Sequence, residues 1–345
     1  MNVSGEVLIH RASFPMPGVA ALVESITFGS DGLRYQRLDV QKQLDRFNSP
    51  VYFHALAGDE LCGVYVLDKR SLWIDGQAVT AYYRGVLAVA AQSQGRGVGK
   101  RLTQSASQWL SDQAQTSTLL SYGCIDQSNA RSLHILNATG TVSGAALSMY
   151  MMYRQWPAER CNLLSLEAVK TAHLEELHNE QYADCGVRDL SLSSLPGYVL
   201  KDDAGIAISA RVTTNSFKIV QMGRLAQWST RLLVLPFPPA RKRFNPNCFR
   251  HVSLSEVLIR PGCESSWSDF VSSVLAKQAC HFGVVYVDPR SKLFDRLQMA
   301  NRTTRYLHSR QGTIDVVSKA YNDPANLHQR LLDKTSPVHL WPVDV

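Results

Sequence analysis

Apolar and polar positions alternate in short blocks along the first half of the chain, and the blocks change period as they go. Glu6–Ala12 alternates with period two, as a strand does, while Val19–Phe28 carries its apolar residues at helical spacing. Tyr35–Phe47 places Leu38, Val40 and Leu44 on a broadly helical face. Val51–Ala57 and Leu61–Leu67 are short apolar runs around Gly58-Asp59-Glu60, the pattern of a hairpin. Val79–Val89 predicts a long strand, and Gly97–Gln115 a helix with Leu102, Ala106, Trp109 and Leu110 on one side. Ser117–Ile125 then reads as a strand, Asn129–Asn137 as a short helix and Ala146–Tyr153 as a closing strand. Helices interleaved with strands predict an α/β or α+β arrangement around a mixed sheet.

The second half repeats the order without repeating the sequence. Two strand-like runs in Pro196–Ile219 flank Asp202-Asp203-Ala204-Gly205, as the earlier pair flanks its turn. A strand over His251–Arg260, a helix over Ser265–Cys280, a strand over Gly283–Val287 and a short helix over Arg290–Met299 follow. Further strand-like runs lie near Thr304–His308 and Thr313–Val317. The expectation is two copies of one fold, residues 1–156 and 164–345, with a boundary near Trp156–Leu164.

Composition narrows the class more than the function. With 345 residues, 45% hydrophobic and 19% charged, the chain can bury full cores and is not of disordered type. No apolar run is long enough to span a bilayer, and Met1–Ala12 lacks the pattern of a signal peptide. Seven scattered cysteines without a close C-x-x-C pair suit a reducing cytoplasm. The net charge of +7 fits an anionic partner. Its densest cluster, Arg241-Lys242-Arg243, sits in a Pro-rich stretch and reads as a solvated loop; no nucleic-acid motif accompanies it. His173 and His178 stand five apart, so they point to different helix faces and form no metal pair; they read as an amphipathic helix surface. No metal site is expected.

The informative segment is Leu87-Ala88-Val89-Ala90-Ala91-Gln92-Ser93-Gln94-Gly95-Arg96-Gly97-Val98-Gly99-Lys100-Arg101-Leu102. A strand runs into three glycines at alternate positions, and a helix with basic residues in its first turn follows. Glycines let backbone approach a ligand closely, and the amides of a helix N-terminus suit a phosphate. The dinucleotide pattern G-x-G-x-x-G fails, because Lys100 or Leu102 falls where its last glycine belongs. The P-loop pattern fails at Gln94 and Arg101.

This segment resembles the acyl-CoA signature Q/R-x-x-G-x-G/A of the GNAT acetyltransferase superfamily, met at Gln92–Gly97 and again at Gln94–Gly99. A second, degraded match follows, in which Asn129, Ser132, Leu136, Gly140 and Thr141 occupy the positions of N-x-x-A-x-x-x-Y-x-x-x-G-F. The resemblance covers about Glu6–Tyr153. It implies a GNAT-like acyltransferase fold, in two tandem copies, and acetyl-CoA or another acyl-CoA as co-substrate. By the same resemblance Gln94, Gly95, Arg96, Gly97, Val98, Gly99 and Lys100 would hold the pyrophosphate. Leu87 and Val89 would serve pantetheine and the thioester carbonyl, and Asn129 would contact CoA; Asn129 also reads as a helix N-cap. Leu136 replaces the tyrosine that commonly protonates the departing thiolate. Ala81, Tyr82, Tyr83 and Arg84 stand where many relatives carry a glutamate base.

The expected reaction is acyl transfer to an amine, with a small molecule as the acceptor. No base can be assigned; the candidates for proton transfer are Tyr122, His134 and Tyr150, with Cys124 and Asp126 beside them. The rival expectation is a non-catalytic acyl-CoA-binding or sensory module. In the second copy the strand Val257-Leu258-Ile259 leads into Arg260-Pro261-Gly262-Cys263-Glu264, with one glycine and an acid, so no phosphate cradle is expected there. The apolar tail through Trp341 to Val345 is expected to dock, and resemblance to some tandem relatives implies the Val345 carboxylate as a catalytic candidate.

Overall fold

The computed structural model describes residues 6–29, 33–115, 117–127, 129–153, 161–168, 171–189, 195–223, 244–304, 309–323, 326–332 and 336–340. Arg241–Arg243, Trp341–Val345 and most of the expected boundary lie outside the described residues. The first half runs β1 (Val7–Ala12), α1 (Val19–Ser25), β2 (Phe28–Gly29), β3 (Leu33–Leu38), α2 (Val40–Leu44), β4 (Pro50–Ala57), β5 (Glu60–Ile74), β6 (Gln77–Val89), α3 (Val98–Gln113), β7 (Leu119–Asp126), α4 (Ala130–Asn137) and β8 (Val142–Tyr153). The second continues as β9 (Leu164–Ser165), α5 (Thr171–Gln181), β10 (Val187–Asp189), β11 (Gly197–Asp202), β12 (Gly205–Met222) and β13 (Phe249–Ile259). It ends with α6 (Trp267–Lys277), β14 (Phe282–Val287), α7 (Lys292–Thr304), β15 (Ser309–Tyr321), α8 (Leu327–Leu332) and β16 (Val338–His339).

One mixed sheet carries both halves, in the order β1-β4-β5-β6-β7-β15-β8-β14-β13-β12-β11-β9. That order is palindromic. From either end come an edge strand, a hairpin, a long strand and a strand parallel to it, and the two halves meet at β15 and β8. The parallel pairs also match in register: Thr80–Tyr83 on Leu119–Tyr122, and His251–Leu254 on Phe282–Val285. Each long hairpin shifts register at the corresponding place, between Tyr65 and Leu67 and between Ser209 and Arg211. This is the tandem GNAT-like arrangement.

The halves exchange strands twice. β15, from the second half, lies between β7 and β8 of the first; β8 in turn lies between β15 and β14. At the periphery β3 crosses to pair with β12, Leu38 to Leu33 against Ser216 to Met222, while β10 crosses to pair with the end of β5, Asp189 on Leu72. The cores follow the same exchange. α3 lays Val98, Leu102, Ala106 and Leu110 on Phe53, Tyr65, Leu67 and Tyr82, and Tyr321 of β15 completes that layer. A larger apolar cluster runs unbroken from Val19 and Val64 through Leu147 to Val252 and Phe270.

Two sequence expectations change. Tyr35 to Leu38 is strand rather than helix, because β12 offers it a ladder; the helix is reduced to α2. Thr304 ends a helix, and the strand that follows begins at Ser309. Among the described residues no helix is long and apolar enough to cross a membrane, and all seven cysteines are free thiols.

Candidate active site

β6 and β7 pair for four residues and then part. Tyr83 and Tyr122 are the last partners. Just beyond them a Cβ on Gly123 would come within 3.1 Å of the Arg84 Cβ and 3.3 Å of the Arg84 carbonyl oxygen. Glycine at 123 is thus what allows β7 to pass so close before it diverges. Arg84 is buried there and turns its guanidinium to two hydroxyls, Nη1 donating to Thr141 Oγ1 and Nη2 to Ser121 Oγ, both at 2.7 Å. Its charge is therefore engaged inside the sheet by hydroxyls.

At the open end of this V the chain leaves β6 and turns into α3. Gly95 and Gly97 both hold left-handed φ, 78° and 77°, and a Cβ at either would meet nothing within 4 Å. The turn needs glycine for its conformation, and the space beside it is open to a ligand. Gly99 is different. It lies inside α3, and a Cβ there would touch Ile135 and Val89 at ordinary distances of 3.6 and 3.7 Å.

The Gln94 amide donates to the Val89 carbonyl at 3.1 Å and fixes the turn from within. Gly97 caps α3, whose first backbone bond comes from Arg101 N–H at 3.0 Å. The amides of Val98, Gly99 and Lys100 precede that bond and have no acceptor within the helix. They face an N-terminus of partial positive charge, with Arg96 and Lys100 exposed around it. Val98 is buried and anchors the turn to the α3 layer. These features suit a pyrophosphate, so the residues present fit an acyl-CoA.

The other sequence candidates are distributed unevenly. Asn129 is the N-cap of α4, its Oδ1 accepting from Ser132 N–H at 3.1 Å. His134 is exposed on α4, and Leu136 is buried. Tyr150 lies on β8, separated from β7 by β15, with its ring edge-on to Phe294 at 5.6 Å. Tyr122 is fully buried and donates its proton to Asp189 Oδ2 at 2.5 Å. Burial, reinforced by the Asp189 charge, drives its pKa well up, so the hydroxyl stays protonated at neutral pH. Burial likewise pushes the Cys124 thiol up to about 12. Asp126, at the C-terminal end of β7, is exposed. The loop residues, Asp126 and the start of α4 thus follow the point where β6 and β7 part, while Tyr150 lies on β8 and the Tyr122 hydroxyl is bonded to Asp189.

The corresponding V of the second half is filled by its own chain. Gln181, at the end of α5, donates from Nε2 to the Val257 carbonyl at 2.6 Å and accepts at Oε1 from Ile259 N–H at 2.9 Å. Tyr182 donates its hydroxyl to the same Val257 carbonyl, and Arg296 of α7 reaches both Gln181 Oε1 and the Ile259 carbonyl. Sequence reading missed this, because neither a glutamine nor a tyrosine after a helix signals such a role. His178, expected on a helix surface, instead turns partly inward with its ring 5.8 Å from that of Tyr182, and burial lowers its pKa to about 4. The loop after β13 is held by Arg260, paired with Asp202, rather than by glycines. Among the described residues no group of three or more His, Cys, Asp or Glu side chains is placed to hold a metal ion.

Comparison with known proteins bears on the fold and on one segment of the sequence. Residues 21–140 match the family model described as Acetyltransferase (GNAT) family. No curated protein sequence matches the chain. Among solved structures, N-myristoyltransferase of Saccharomyces cerevisiae with bound myristoyl-CoA is similar with a TM-score of 0.59 at 10% identity, over 93% of this chain and 85% of that one. A GCN5-related glucosamine N-acetyltransferase region of a fungal multi-domain GH3 β-N-acetylglucosaminidase has a TM-score of 0.53 at 11% identity, over 91% of this chain and 38% of that one. At such identities the likeness concerns the fold, and it extends across both halves. Over residues 21–140 the chain is thus similar to the acetyltransferase (GNAT) family, which supports acyl-CoA-dependent N-acyltransfer as its activity.

Proposed function

We propose that the protein transfers an acetyl group from acetyl-CoA to the amine of a small molecule. The observation that carries this reading is the pair of left-handed glycines, Gly95 and Gly97, open on their Cβ side at the mouth of a V between two parallel strands. Amides at the start of α3 would hold the pyrophosphate, with Arg96 and Lys100 adding charge. The edge of β6 around Leu87–Val89 would take the pantetheine arm, and an amide there would stabilise the oxyanion formed as the amine attacks. Asp126, an exposed carboxylate at the end of β7, would draw a cationic amine and take a proton from it. With Leu136 in place of a tyrosine, the thiolate leaves on its own low basicity.

A second reading, an acyl-CoA-binding module without turnover, draws support from Leu136 and from the engaged Tyr122 hydroxyl. Calorimetric titration with acetyl-CoA tests the binding that both readings require. Wild type should bind saturably at one site, and Gly97→Glu, which sets a carboxylate in the cradle, should lower affinity at least 100-fold. Free-thiol release with a panel of amines then distinguishes transfer from binding alone. A wild-type chain that shows no heat of binding would end the acyl-CoA reading.

A further inference from the structure

The vertex of the V is held by a knot of buried charges. The rings of Tyr83 and Tyr122 lie 5.5 Å apart, and the Arg70 guanidinium sits over Tyr83 at 4.2 Å from its centroid. Arg70 Nη1 donates to Asp189 Oδ2 at 2.8 Å and lies 3.4 Å from the Tyr122 oxygen; its Nε donates to Asp68 Oδ2 at 3.1 Å. Asp68 Oδ1 accepts from Ser49 N–H at 3.0 Å. Asp68, Arg70, Tyr122 and Asp189 are each no more than 5% exposed. Asp68, Arg70 and Tyr122 come from the first half. Asp189 does not. It ends β10, the strand that crosses from the second half to pair with Leu72, a few residues after α5 plugs the second V with Gln181 and Tyr182.

We propose that Asp189 is a positioning residue for acyl transfer: by holding Tyr122 and Arg70 it fixes the angle at which β6 and β7 diverge. The inference rests on the acyl-transfer reading given above. A strand advances about 3.3 Å per residue, so opening the vertex by about 3° displaces β6 by about 1 Å near Val89. A misplacement of about 1 Å at a reacting centre can cost a rate on the order of 100-fold. The acidic group that sets this angle reaches the first half by strand exchange, which gives the second half a part in catalysis although its own V is closed by its own side chains.

The test uses the full chain carrying Tyr122→Phe or Asp189→Asn, assayed well below each variant's melting midpoint. Tyr122→Phe keeps the buried ring and removes only the hydroxyl, with its bonds to Asp189 and Arg70. Acetyl-CoA affinity by calorimetry should stay within about 3-fold of wild type, since the glycine turn is untouched. The kcat for thiol release, with spermidine, glucosamine and a glycyl peptide as probe amines, should fall about 10-fold or more in both variants, with little change in amine KM. Lowered melting midpoints with unchanged kcat would show the knot to be structural only and would overturn the proposal. Wild type that binds no acetyl-CoA would instead remove the acyl-transfer reading, and this inference with it.

Discussion

His251 sits among aromatic rings, 5.4 Å from Phe217, and its Nδ1 is buried without a hydrogen-bond partner. Burial first, and the Arg46 charge second, lower its pKa to about 4. In the unfolded chain a histidine titrates near 6.5. The folded state thus favours the neutral ring, and its contribution to stability is complete above about pH 6.5 and lost as pH falls toward about 4, at up to about 1.4 kcal/mol per pH unit. The urea midpoint of wild type should therefore drop more steeply between pH 6.5 and 4.5 than that of His251→Phe, which keeps a ring in the same pocket. Equal slopes would mean that this imidazole is solvated. At this scale the sequence is readable where chemistry forces one residue type. Gly95 and Gly97 adopt the left-handed backbone that their spacing suggests. Tyr122 shows the opposite case. As a strand tyrosine it offers both a proton and a ring, and the choice between them is made by Asp189, distant in sequence and brought in by β10.

Short elements depend most on their ends. α4 spans only Ala130–Asn137, and its N-cap bond runs from Ser132 N–H to Asn129 Oδ1. Replacing Asn129 by Ala should cost about 1 kcal/mol in denaturant unfolding, as the loss of an N-cap usually does. It should also weaken acetyl-CoA binding only slightly if the cap is its main role. A loss of binding beyond about 10-fold with an unchanged midpoint would assign Asn129 to the ligand instead. The long elements, β5, β6, α3, β12 and β13, were legible because their apolar period persists over many residues. β3 was not. Leu38, Val40 and Leu44 stand at helical spacing, yet the ladder with Ser216–Met222 decides the conformation of Leu33–Leu38. That partner lies far along the chain, and no window centred on Tyr35 contains it.

Over the whole molecule, the repeated order of elements was visible in the sequence, while the interleaving of the two copies was not. Periodicity tells which segments are strands; it carries no label for neighbours. Because β15 completes the sheet between β7 and β8, and Tyr321 completes the α3 layer, residues 1–156 and 164–345 made separately should each fail to fold cooperatively. Calorimetry of each fragment should show no sharp transition, and a cooperative melt of either alone would contradict the exchange. The same exchange sets a timetable for synthesis. When β8 has left the ribosome, the place between it and β7 is still vacant, and both strands present bare ladder edges of the kind that seed aggregation. Translation proceeds at about 5–20 residues per second, so on the order of ten to thirty seconds pass before β15 emerges to close the gap. The nascent first half must therefore spend that interval shielded or only loosely ordered, and a strand made late in the second half is the one that releases the first.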